Sequence, residues 1–214
     1  MTSDPLSVDL AGVRLKNPLI PASGCFGFGE EFLDFFDPNI LGAAALKGTT
    51  LEPQDGNPTP RVAEAPCGMI NSIGLQNPGI DKVLAEQLPN FQKHFKQPVI
   101  MNISGFSVDE YVEACSRTDG TCEIIEVNVS CPNVDGGGMT FGASAALTGE
   151  VTREVRQVVK NSKLFVKLSP NVTDIVEIAE ACVEGFEDGL TLIYTALGMR
   201  IDVGKRKPVI ARTV

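Results

Sequence analysis

The chain has 214 residues, 43% of them hydrophobic and 21% charged, with a formal net charge of −9, a profile that suits a globular protein with one large core. That acidic balance excludes a broad basic face for nucleic acid, and no apolar run nears the roughly 20 residues of a membrane span. The start, Met1-Thr2-Ser3-Asp4-Pro5, has neither the basic nor the apolar region of a secretion signal, so the expected location is cytoplasmic.

In chain order, residues 6–10 and 13–15 read as a hairpin turning at Ala11-Gly12. Short buried strands are expected at 19–22, 43–47, 99–103, 124–130, 164–168 and 190–193. Helical patterns fill the gaps at 29–36, 80–88, 108–117, 149–161 and 173–184. Asp174 and Glu177 suit the positive end of the last helix. Strands alternating with helices imply a parallel sheet. Polar residues at the strands' carboxyl ends favour an α/β fold of the (β/α)8 TIM-barrel type over a doubly wound sheet. No G-x-G-x-x-G follows a strand, which weakens a dinucleotide fold. Gly24-Cys25-Phe26-Gly27-Phe28-Gly29 reads either as a turn or as a cofactor contact. A full barrel needs about 250 residues. The expectation is therefore one domain over residues 1–214, an incomplete barrel with about six of its eight units.

The segment 124–133 carries the most chemistry. Alternation places Ile125, Val127 and Val129 on one face and Glu126, Asn128 and Ser130 on the other. Polar groups then point into the barrel, and Cys131 follows the strand's carboxyl end, beside Pro132 and Asn133 and ahead of Gly136-Gly137-Gly138. The six cysteines, at 25, 67, 115, 122, 131 and 182, form no C-x-x-C pair, so neither a zinc site nor a disulfide scaffold is expected. The single histidine, His94, reads as a surface residue at a helix end, so acid–base work falls to Cys, Lys, Asp or Glu. No metal site is expected. Lys167 stands in an otherwise apolar strand, on the face of Phe165 and Ser169, where a lysine needs an anion. The three Asn-x-Ser/Thr matches, at Asn102, Asn128 and Asn171, read as chance.

Five ordered motifs carry a resemblance. They are Asn17-Pro18-Leu19-Ile20-Pro21-Ala22-Ser23-Gly24, Gly56-Asn57-Pro58-Thr59-Pro60-Arg61, Asn71-Ser72-Ile73-Gly74-Leu75-Gln76-Asn77-Pro78-Gly79, Asn128-Val129-Ser130-Cys131-Pro132-Asn133 and Val166-Lys167-Leu168-Ser169-Pro170. With them the chain resembles the class 1 dihydroorotate dehydrogenases, in particular the catalytic subunit of the NAD-linked branch. The resemblance implies an FMN-binding barrel that oxidises dihydroorotate to orotate in pyrimidine synthesis. Cys131 would be the base that takes the C5 proton, a role for a thiolate. Ser23, Lys47, Gly48, Asn102, Asn128, Lys167 and Ile193 would contact the cofactor, with Lys167 answering charge near flavin N1. Lys47, Asn71, Ser72, Ile73, Gly74, Leu75, Asn128, Asn133, Tyr194 and Thr195 would contact the substrate, the asparagines matching a ring of N–H and C=O groups. The implied partners are a second copy of the chain, as a homodimer, and an FAD and iron–sulfur electron-transfer subunit. The family usually has Asn-Thr where this chain has Tyr194-Thr195, and more often alanine at Gly48. The absent seventh and eighth units leave a second reading open, a catalytically silent barrel fragment serving as a binding or interaction module.

Overall fold

The computed structural model describes residues 5–66, 68–130 and 141–210. It opens with an antiparallel hairpin, β1 (Val8–Leu10) and β2 (Val13–Leu15). At its turn Ala11 and Gly12 both take positive φ, 52° and 87°, and Gly12 N donates to Asp9 Oδ1 at 2.8 Å. The expected strand at 19–22 is irregular. Pro18 and Pro21 carry no N–H for a ladder, and the segment is tied toward β3 through Leu19 O, which accepts from Gly42 N at 2.9 Å. Helix α1 (Ser23–Phe26) follows at once, and the expected helix at 29–36 shrinks to a 3-10 turn at Glu30–Phe32. A second such turn, Pro38–Ile40, is capped by Asp37 and leads into β3 (Ala44–Ala45).

A second antiparallel hairpin, β4 (Val62–Ala65) with β5 (Gly68–Asn71), departs from the expected order. Helix α2 (Ile80–Lys82) runs through a π turn at Val83–Gln87 into α3 (Leu88–His94), so the helix reaches beyond residue 88. Strands and helices then alternate: β6 (Val99–Ile103), α4 (Val108–Thr118), β7 (Ile124–Asn128), α5 (Ala145–Val158), β8 (Lys163–Lys167), α6 (Ile175–Glu184) and β9 (Gly189–Thr191). A last short hairpin pairs β10 (Ile201–Asp202) with β11 (Lys207–Pro208). Helix starts are fixed by side chains that accept otherwise orphaned N–H groups. Ser107 takes Glu110 N, Ser144 takes Leu147 N and Asp174 takes Val176 N.

Strands β3, β6, β7, β8 and β9 lie in that order in one sheet, every pair parallel. It is the curled half of a TIM barrel, with each strand beside its successor. Outward-facing Met101, Ile103, Ile125, Val127, Val129, Leu164, Val166 and Leu168 pack in one core with Tyr111, Ala114, Val151, Val155, Ile178 and Cys182 of the helices. Inward-facing Ala43, Ala45, Ile100, Ile124 and Phe165 form a separate cluster with Leu15 of the first hairpin, against which Leu10, Ala11 and Val13 pack. The hairpin therefore floors the half-barrel. The concave wall above that floor is where the next inward residues must go.

Candidate functional site

One step up each strand, at positions two residues further on, the inward side chains become polar: Asn102 on β6, Glu126 and Asn128 on β7, and Lys167 on β8. Register brings them together, since Asn102 lies opposite Glu126, and Asn128 opposite Lys167. All four are withdrawn from solvent, with Asn102 at 0%, Asn128 at 2%, Glu126 at 3% and Lys167 at 8% exposure. A buried ammonium without an anion would be prohibitive. Here Lys167 Nζ stands 3.6 Å from Glu126 Oε1, close enough for a strong Coulomb attraction and longer than a hydrogen bond.

The same Glu126 oxygen accepts from Asn102 Nδ2 at 2.5 Å. An ionised carboxylate can only accept, so this contact fixes which end of the Asn102 amide is which. Asn102 Oδ1 is left buried and without a hydrogen-bond partner among the described residues, as are Ser104 Oγ and Ser72 Oγ. An unmet buried acceptor costs about 1–3 kcal/mol, which a ligand donor would recover. Gly48 is buried beside it. A Cβ there would stand 2.9 Å from Asn102 Oδ1 and 3.2 Å from Leu75 Cδ1, so the missing side chain is what lets the backbone come this close.

Asn128 is held from two sides. Its Oδ1 accepts Ser130 N at 3.2 Å, and its main-chain oxygen accepts the Tyr111 hydroxyl at 2.8 Å. Lys47, at the end of the second expected strand, is half-buried and lines an open cleft of about 470 Å³ with Gly27, Phe28, Gln54, Gln76 and Asn77. Ser23 is buried in α1. Asn71 and Thr195 line a second pocket, of about 200 Å³, between β4–β5 and the segment leading to β10. Ser72, Ile73 and Gly74 continue from β5, where Asn57 Nδ2 donates to Ser72 O at 3.0 Å and Asn57 N to Ile73 O at 2.9 Å. Tyr194 N donates to Leu168 O at 2.9 Å, tying the segment after β9 to the end of β8. Ile193 is 48% exposed. Cys131 and Asn133 lie outside the described residues.

Glu126 is the member of this buried group to which the sequence alone gives no role. Its one signal there is a lone acid sharing a buried strand face with Asn128. The remaining buried thiols are spectators. Burial pushes Cys122 up to about 12 and Cys182 up to about 11, and it raises Cys115 as well, so these stay protonated and unreactive near neutral pH. Among the described residues no cluster of three or more His, Cys, Asp or Glu could hold a metal ion, and no helix is long and apolar enough to cross a membrane.

Residues 5–214 match the profile of the family described as Dihydroorotate dehydrogenase. The chain belongs to that family. It is similar to proteins named dihydroorotate dehydrogenase B (NAD(+)), catalytic subunit. The one from Anoxybacillus flavithermus is 52% identical over 208 residues, 96% of this chain and 66% of the relative. That from Geobacillus kaustophilus is 53% identical over the same shares, and that from Enterococcus faecalis is 49% identical over 99% of this chain and 68% of the relative. The chain thus spans about two thirds of the length of the relatives it matches. Within the dihydroorotate dehydrogenase family, the half-barrel and its polar upper tier are the part that this stretch supplies.

Proposed function

We propose that the protein oxidises dihydroorotate to orotate in de novo pyrimidine biosynthesis, with FMN as its cofactor. The observation that carries this reading is the buried group of Asn102, Glu126, Asn128 and Lys167 at the carboxyl ends of parallel strands, in a member of the dihydroorotate dehydrogenase family. That group fits a flat heteroaromatic ring that gains negative charge. Asn102 Oδ1 is an acceptor still without a donor, Gly48 leaves room at its side, and Lys167 supplies a cation.

When bound, FMN supplies the acceptor for the hydride that leaves C6 of the substrate. Lys167, Asn102 and Asn128 would hold it, with Ser23, Lys47, Gly48 and Ile193 at its margins. The Cys131 thiolate takes the proton from C5, so that the C5–C6 bond becomes double. A thiol of ordinary pKa near ~8.5 is only partly ionised at neutral pH, and nearby cations raise the fraction that is. Lys47, Asn71, the stretch from Ser72 through Ile73 and Gly74 to Leu75, Asn128, Asn133, Tyr194 and Thr195 orient the pyrimidine. Asparagines suit that task because each offers a donor and an acceptor on one short arm. Asn71 and Thr195 sharing one pocket supports the grouping. The relatives' name, a catalytic subunit of an NAD(+) enzyme, supports transfer of electrons onward to a separate FAD and iron–sulfur subunit. A homodimer and a cytoplasmic location complete the reading.

The test is optical. Protein mixed with FMN is expected to turn yellow and to bleach when dihydroorotate is added without oxygen. Replacing Cys131 by serine should slow the bleaching by about 10²–10⁴-fold, the usual contribution of a positioned acid or base. A protein that stays colourless, or a bound flavin indifferent to dihydroorotate, overturns the proposal in favour of a catalytically silent binding module.

A further inference from the structure

Glu126 sits where its charge is least expected, deep in the wall of a site that the reading above assigns to a ring gaining negative charge. Its Oε1 serves two neighbours on two different strands. It accepts Asn102 Nδ2 at 2.5 Å from β6 and faces Lys167 Nζ at 3.6 Å from β8. Both neighbours are themselves buried. The arrangement has two consequences. The carboxylate fixes the Asn102 amide with its Oδ1 toward Gly48, which leaves that oxygen as an open acceptor. The same charge also offsets the field of Lys167 within the tier.

We propose that Glu126 is a positioning residue that sets both the hydrogen-bonding sense of Asn102 and the net charge that a bound flavin meets at Lys167. The proposal rests on the flavin reading and deepens it. With Glu126 ionised, the Glu126–Lys167 pair is neutral, and a flavin gaining negative charge meets a lysine already partly satisfied. With the carboxylate removed, the pair becomes a lone cation. Reduced flavin is then favoured over oxidised flavin, because an uncompensated ammonium in a dry site attracts the added charge strongly. Asn102 also becomes free to turn, since a neutral amide at position 126 can accept or donate. Glu126 thereby limits how strongly the site drives reduction, and it presents the ring with an acceptor in place of a donor.

The experiment is the midpoint potential of the FMN-bound protein, together with FMN affinity in the oxidised state, for wild type, Glu126→Gln, and Glu126→Gln combined with Lys167→Gln. Glu126→Gln should increase the preference for reduced over oxidised FMN about tenfold, a rise of about 30 mV for a two-electron couple. The double variant removes both charges and should return to within about threefold of wild type. A merely structural role would disturb folding and affinity without this reversal of sign. If Glu126→Gln does not fold, the same increment is read between Lys167→Gln and the double variant. A bound flavin whose potential is unmoved by Glu126→Gln overturns the inference alone. Wild-type protein that takes up no FMN overturns the flavin reading and the inference with it.

Discussion

The floor and the upper tier of the half-barrel are built on the same strands, two residues apart, and obey opposite rules. Ile100, Ile124 and Phe165 point inward and meet Ala43, Ala45 and Leu15 in an apolar cluster. Two residues on, a rise of about 6.6 Å, Asn102, Glu126 and Lys167 point the same way and meet one another's polar groups. Alternation fixes the direction of every one of these side chains, and height along the strand decides whether a methyl or a charge is tolerated. The floor can be dry because the first hairpin closes it. The tier above can hold an ammonium because the adjacent strand brings a carboxylate, one step diagonal to it, within 3.6 Å. Stability and chemistry are thus separated by one turn of the strand pleat.

The largest effect expected from this contrast lies in the floor. Phe165 is 5% exposed, and its ring stands where a Cβ on Gly189 would lie 2.7 Å away, so the neighbouring strand has been cut back to admit it. Phe165→Ala should cost about 3–5 kcal/mol of folding stability, measured by urea unfolding, while the affinity for FMN at low denaturant stays within about threefold. A loss of binding as large as the loss of stability would show that the two tiers are not separable. The upper tier should behave conversely. Asn128→Ala gives up the hydrogen bond that its side chain accepts from Ser130 N, about 1 kcal/mol, yet should weaken FMN binding at least about tenfold. If Asn128→Ala instead destabilises as strongly as Phe165→Ala and binds normally, the tier is packing and nothing more.

How much of this was legible in the sequence follows the same division. The strands at 99–103, 124–130 and 164–168 were readable because continuous apolar runs with polar ends are what a buried parallel strand requires, and all three reappear as β6, β7 and β8. The segment 19–22 looked equally apolar, but its prolines remove donors, a local veto that hydrophobicity does not register. The hairpin β4–β5 escaped notice because Val62–Ala65 and Gly68–Asn71 are too short and mixed to show a period. Helix α5 starts at Ala145, four residues before the expected Gly149, since Ser144 caps it and the glycine lies inside the helix. There a Cβ would stand 3.2 Å from Ala181 O, so Gly149 marks a close approach to α6 and not a helix start. In the candidate site, Asn128 and Lys167 could be picked out from their own strands, and Asn102 through the family resemblance. Glu126 could not, because its role is defined by two partners on two other strands, and only the register supplies those.

The smallest expected effect tests the floor from its outer rim, where carboxylates clasp the starts of the strands. Asp188, just before β9, accepts Leu164 N at 2.8 Å and pairs with Arg156 at 2.9 Å and Lys163 at 3.3 Å. Asp119 accepts main-chain N–H groups of Lys160, Asn161 and Ser162 in the loop before β8. Partial burial raises the pKa of each carboxyl, but the hydrogen bonds outweigh it and hold both below the ordinary value. A folded-state pKa held below the unfolded value of about 3.9 stabilises the fold above that pH. The contribution is lost as pH falls through the lower folded value, where the native carboxylates finally take up protons. Wild type should therefore lose stability steeply below about pH 4, a window set by that reference value. Asp188→Asn should flatten that slope, with a further flattening on adding Asp119→Asn, and a lower plateau at neutral pH. The amide cannot titrate, and it accepts less strongly from Arg156 and Lys163. Acid unfolding followed by circular dichroism from pH 7 downward reads both effects. An unchanged acid slope in the double variant would show that the rim carboxylates do not set the pH sensitivity of the fold.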